Sequence, residues 1–210
     1  MDAWIMKETC LDRDYEENCV QIKDDWTVVD IGAGIGDFAI SVAKEHPNCR
    51  VYACEPFPES FRLFKENIRL NAVQNVSEFQ IAIGSSSAEM TLSTTGEAVQ
   101  HTTTDSTVAR TAASRIKVQS LSLCDFFEVN CIEHCNFLKL DCEGCEFEIL
   151  LNAGLEILQK IDHICLEYHD GFTEFSHQDL LNHLEQNGFR VASTPNPIHK
   201  YLGFLHASRK

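Results

Sequence analysis

Short apolar runs alternate along the chain with stretches whose apolar residues recur every three or four positions. That alternation is the pattern of strand-helix units built around a largely parallel sheet. Trp26 to Ile31 (WTVVDI) predicts a first buried strand, and Ile35, Phe38, Ala39 and Val42 place a helix directly behind it. Arg50 to Glu55 predicts a second strand. Pro58 then marks a helix start, with Phe57, Phe61, Phe64 and Ile68 on one face and Arg62, Lys65 and Arg69 elsewhere. Further strands fit Glu78 to Ile83, Phe137 to Asp141 and His163 to Tyr168. Ser176 with Asp179 three residues on, the apolar Leu180, Leu181 and Leu184, and Gly188 predict a helix with both ends marked. Phe189 to Ser193 and Lys200 to Ser208 are joined by a Pro-containing link too short for a crossover helix, so these two strands pair antiparallel.

Between Ser85 and Ser114 the chain is dense in Ser and Thr and poor in apolar residues, which predicts an exposed loop or hairpin insertion and a candidate lid over substrate. Residues 1–24 read as a short preamble to a single domain over 25–210. The 210 residues with 44% apolar content suit one core. No run approaches the roughly 18 uncharged apolar residues of a membrane span, and the amino terminus lacks a secretory core, so a soluble cytoplasmic protein is expected. Ten cysteines are scattered, and Cys54 and Cys165 sit inside apolar runs, which predicts reduced thiols. A net charge of −15 repels a phosphate backbone and argues against nucleic-acid partners.

Candidate chemistry begins at Asp30-Ile31-Gly32-Ala33-Gly34-Ile35-Gly36, between the first strand and the first helix. Glycines there allow a tight turn and close approach of backbone to a ligand, and the helix start offers unpaired N–H groups. The spacing is G-x-G-x-G. A dinucleotide fingerprint wants a third glycine at position 37, where this chain has Asp37. A carboxylate there crowds a pyrophosphate but tolerates a cofactor carrying a sulfonium and an ammonium, which favours S-adenosyl-L-methionine over NAD. Glu55, at the end of the second strand, can accept hydrogen bonds from both ribose hydroxyls. Phe57 can touch the adenine edge, and the adenine amine should meet a group among Gln80, Ala82, Ile83 and Gly84.

With Glu55-Pro56, Asn67, Asn71 and the stretch Leu138-Lys139-Leu140-Asp141-Cys142-Glu143-Gly144-Cys145-Glu146, the glycine motif resembles the FkbM family of S-adenosylmethionine-dependent methyltransferases. The resemblance runs from about Val28 to His169. It implies an α/β, Rossmann-like class I methyltransferase fold: a seven-stranded, mostly parallel sheet with its last strand antiparallel and helices on both faces. It also implies methyl transfer, usually to a hydroxyl oxygen of a small molecule or sugar. Cofactor contacts are expected from Asp30, Gly32, Ala33, Gly34, Gly36, Glu55, Phe57, Ala82 and Asp141. Asp141, Glu143, Glu167 and His169 end strands that face the ligand crevice and are the catalytic candidates. His169 is a candidate general base because an ordinary imidazole titrates near neutrality, and Glu167 shares its strand face.

Cysteines at 142 and 145 depart from the small aliphatic residues usual in the family. Cys131, His134 and Cys135 are near in sequence, which raises zinc. A strand of about five residues at roughly 3.3 Å each would separate the two groups by about 15 Å, so no metal is expected. Two rivals remain open: an NAD-dependent oxidoreductase, disfavoured by Asp37 and by the lack of a Tyr-x-x-x-Lys pair, and a binding module that holds the cofactor without transferring its methyl.

Overall fold

The computed structural model describes residues 14–17, 20–94, 101–102, 114–142 and 144–209. The first element is a short helix, α1 (Asp14–Glu17). The strand-helix units follow: β1 (Thr27–Ile31), α2 (Asp37–Glu45), β2 (Arg50–Cys54), α3 (Pro58–Asn71) and β3 (Val76–Phe79). After a second set of strands described below come α4 (Leu123–Val129), β8 (Cys135–Leu140), α5 (Glu146–Leu151), α6 (Leu155–Leu158), β9 (Ile161–His169), α7 (His177–Gln186), β10 (Phe189–Pro195) and β11 (Leu202–Arg209).

Seven of these strands form one sheet in the order β10-β11-β9-β8-β1-β2-β3. All neighbours run parallel except β11, which is antiparallel to both β9 and β10. That is the expected architecture, including the reversed last strand. Strand alternation splits the core: Val28 faces Phe38, Val51, Phe64 and Phe137, while Val29 faces Leu138, Phe126, Phe147 and Leu180 on the other side. Burial on both faces explains why β1 reads as a continuous apolar run.

The helix signals hold at the level of single bonds. Ser176 and Asp179 form a reciprocal capping box at α7, with Ser176 N–H donating to Asp179 Oδ2 at 2.8 Å. Gly188, past its end, takes φ 90°.

The expected strand Glu78 to Ile83 is corrected to two strands in two sheets. β3 stops at Phe79, and β4 (Ala82–Gly84) leaves to pair parallel with β7 (Ser114–Ser122). β3 is the sheet's edge, so beyond Phe79 the backbone gains more from β7 than from open solvent. β5 (Ala88–Thr94) pairs antiparallel with β7 and β6 (His101–Thr102), giving a four-stranded sheet in the order β4-β7-β5-β6. Leu92, Val118 and Ala82 form its small core. Within the Ser/Thr-rich stretch, residues 95–100 and 103–113 lie outside the described residues. No helix among the described residues is long and apolar enough to cross a membrane.

Candidate active site

The chain builds β1, β2 and β3 outward on one side, then returns to lay β8 against the other side of β1. Such a reversal opens a crevice at the carboxyl ends of the two strands. Register places Asp30 opposite Lys139 there, and both side chains are buried. Lys139 Nζ lies 2.9 Å from Asp30 Oδ1 and 3.1 Å from the Gly32 carbonyl. Burial opposes the ammonium, but the Asp30 and Asp141 carboxylates more than offset it and hold Lys139 charged. The other Asp30 oxygen, Oδ2, is buried without a hydrogen-bond partner.

The turn that follows is glycine-dependent for three separate reasons. Gly32 (φ 79°) leaves no room for a Cβ, which would meet the Asp141 backbone carbonyl. Gly36 (φ 87°) would strike the Phe64 ring. Gly34 (φ 56°) faces open space, so a Cβ there would not be packed against protein. Ala33 is buried between them.

Glu55 closes one end of this turn. Its Oε2 accepts from Gly34 N–H and its Oε1 from Phe57 N–H, each at 2.8 Å. Burial pushes its carboxyl up to about 7, against the pull of those two donors. Phe57 stands at the start of α3, beside this carboxylate. Ala82 is buried in the small sheet's core opposite Ser120.

At the carboxyl ends of β8 and β9 the structure brings together Asp141, Glu167 and His169. One potential ligand atom from each lies within 4.8 Å of the others, a grouping that could also hold a metal ion. Glu143 lies outside the described residues. His169 does not have the ordinary imidazole environment expected of it. Burial pulls its pKa down, but Glu146, Asp141 and Glu167 outweigh that and push it up to about 9. Its Nδ1 approaches Glu146 Oε1 at 3.2 Å, an ion-pair contact without hydrogen-bond alignment.

Two contributors were not singled out from sequence. Glu146, fully buried, accepts from Cys142 N–H (3.0 Å) and Gly144 N–H (2.7 Å) and so fixes the turn after β8. Its place in the Asp141-to-Glu146 motif was the available signal. Tyr15, from α1, donates to Asp141 Oδ2 at 2.8 Å. No spacing rule marks it. The zinc candidates divide as expected by position: His134 Nε2 contacts Asp162 at 2.8 Å before β8, whereas Cys142 and Cys145 flank the turn after it.

Residues 30–191 match the family described as the Methyltransferase FkbM domain. The chain belongs to the FkbM methyltransferase family. It is 28% identical over 206 residues to Methyltransferase 1 of Beauveria bassiana, covering 90% of this chain and 81% of that protein. Among solved structures, methyltransferase FkbM from Methylobacillus flagellatus aligns with TM-score 0.64 at 15% identity, over 95% of this chain and 47% of that one. A Streptococcus mutans methyltransferase in complex with SAH aligns with TM-score 0.54 at 13% identity, over 95% and 96% of the two chains. This chain thus spans about half of the Methylobacillus protein's length.

The cofactor of this FkbM domain is S-adenosyl-L-methionine, which leaves the nicotinamide reading without support. The residues fit it. Gly34 offers backbone to open space, Glu55 offers a carboxylate at the strand end suited to ribose hydroxyls, and the carboxylates of Asp30 and Asp141 suit its positive groups. The glycine turn, Glu55, Asp141, Glu167 and His169 all fall inside the FkbM match, and Tyr15 falls ahead of it.

Proposed function

We propose that the chain is an O-methyltransferase acting on a hydroxyl of a small molecule or sugar. The observation that carries this reading is the grouping of Asp141, Glu167 and His169 at the carboxyl ends of β8 and β9, next to the glycine turn. When bound, S-adenosyl-L-methionine supplies an electrophilic methyl on its sulfonium. The protein must hold the acceptor oxygen in line with that methyl and take its proton. Gly32, Ala33, Gly34 and Gly36 shape the donor pocket, and Glu55 and Phe57 hold its adenosine end. Asp141 receives the positive end of the donor, and Glu167 orients the acceptor hydroxyl. His169 accepts the proton in its neutral form, which its three carboxylate neighbours confine to high pH.

Free thiols at the described cysteines and the charge of −15 support a cytoplasmic enzyme whose acceptor is not a nucleic acid. The test is incubation with isotopically labelled methyl donor and panels of sugars, phenols, aliphatic alcohols and RNA, read by mass spectrometry. Label on a hydroxyl oxygen, with a rate that climbs toward pH 9 and falls about 10²–10⁴-fold in His169→Gln, is the expected result. Label on nitrogen, carbon or RNA, or an unchanged His169→Gln rate, would overturn it.

A further inference from the structure

Ahead of the FkbM match, Tyr15 brings a side chain to the site. Tyr15 is 6% exposed although it belongs to a helix of four residues. Its ring meets Phe38 at 5.6 Å and Phe204 at 5.4 Å, both edge-on, and covers Lys139 Nζ at 5.1 Å from the centroid. Phe38 belongs to α2 behind the glycine turn, and Phe204 belongs to the antiparallel strand β11. One aromatic ring therefore ties the amino-terminal segment to both halves of the sheet, over the buried ion pair at its centre. Glu16 Oε1 accepts from Ile22 N–H at 2.9 Å, which closes the segment back on itself.

Packing alone would ask only for a phenyl ring. The hydroxyl is aimed instead at a carboxylate that lies beside the donor turn. Burial, followed by the charges of Asp141 and Glu167, holds the Tyr15 phenol well above its ordinary pKa, so it keeps its proton and donates. An Asp141 oxygen held by this donor cannot rotate freely, and the Asp141 backbone is already fixed by its N–H bond to the Ile31 carbonyl at 3.0 Å.

We propose that Tyr15 is a positioning residue of the methyl-donor pocket: its hydroxyl sets the Asp141 carboxylate to receive the positive end of the donor, and its ring closes that side of the pocket. The inference rests on the methyl-donor reading of the site. Its consequence is that the segment around Tyr15, ahead of the residues that match the family, is part of the binding machinery.

The test uses the full chain, with calorimetric titration of S-adenosylhomocysteine and S-adenosyl-L-methionine and thermal melting of the free protein. Tyr15→Phe keeps the ring contacts and should melt close to wild type while binding both ligands about tenfold more weakly. Tyr15→Leu should lower the melting temperature as well, and restoring Phe should rescue stability without rescuing affinity. Because the hydroxyl acts through Asp141, the double variant Tyr15→Phe, Asp141→Asn should bind no more weakly than Asp141→Asn alone. Wild-type affinity in Tyr15→Phe, or full additivity in the double variant, would overturn the inference while leaving the donor site standing. Wild-type protein that binds neither ligand would overturn the donor reading itself, and this inference with it.

Discussion

At Glu55, burial and two backbone donors pull on one carboxylate in opposite directions. Burial holds its pKa at about 7 in the free protein, while Gly34 and Phe57 N–H groups steady its charged form. In the proposed donor site ribose hydroxyls donate to the ionised carboxylate, so binding should draw Glu55 into that state and release a proton near neutrality. Affinity for S-adenosyl-L-methionine is expected to rise severalfold from about pH 6 to pH 8, and calorimetry in buffers of different ionisation enthalpy should register the released proton. Glu55→Gln should bind more weakly with no such slope; a persisting slope would assign the proton to another group. The position of Glu55 at the close of the second strand was legible from sequence because the apolar run ends there; its role as a ribose ligand belongs to the proposal. The tie between Asp30 and Lys139 was not legible, because only strand register makes residues 109 apart in sequence neighbours.

The glycine turn works as an element whose three positions fail in different ways. Gly32 has both a left-handed backbone and a backbone carbonyl where a Cβ would sit, so Gly32→Ala should destabilise the protein by about 2–4 kcal/mol in urea unfolding. Gly34 has the left-handed backbone with open space beyond it. Gly34→Val should therefore cost only about 1–2 kcal/mol of stability yet abolish cofactor binding, because the side chain occupies the ligand's place. Equal losses of stability in the two variants would contradict this division. Sequence identified the motif and its ligand class. It could not tell which glycine is packed against protein and which faces open space, since that depends on what β8 and α3 bring alongside. The same limit explains the broken third strand: the propensity of residues 78–83 is continuous, and the split follows from an available partner in β7.

Across the whole molecule, two buried histidines shape stability in opposite directions of pH. His169 is raised to about 9, so its contribution is complete below the unfolded value near 6.5 and is lost as pH climbs through 9. Burial lowers His206 to about 4; it lies among apolar neighbours beside Cys165, with Nδ1 3.2 Å from the thiol. A depressed imidazole contributes stability that is present above about 6.5 and lost as pH falls through 4. Glu55, raised to about 7, acts in the opposite sense to His206 across the acid range, so each histidine's limb is read as the difference in melting between the wild type and the variant that lacks it. His169→Gln should flatten the alkaline limb, and His206→Leu the acid limb; an unchanged profile in either variant would refute the assignment.

The chain's own pattern determined the class of fold, the parallel run of its first units, the antiparallel close and the glycine turn. These follow from period, capping and glycine placement, which act over a few residues and so are written locally. Tertiary structure alone decided what meets at the crevice. It paired Asp30 with Lys139, surrounded His169 with carboxylates that change its charge, set Glu146 under the turn and brought Tyr15 from an apparent preamble onto Asp141. Each of those contacts joins residues on separate elements or sets the shape of a turn, and its physical cause is the sheet order that makes them neighbours.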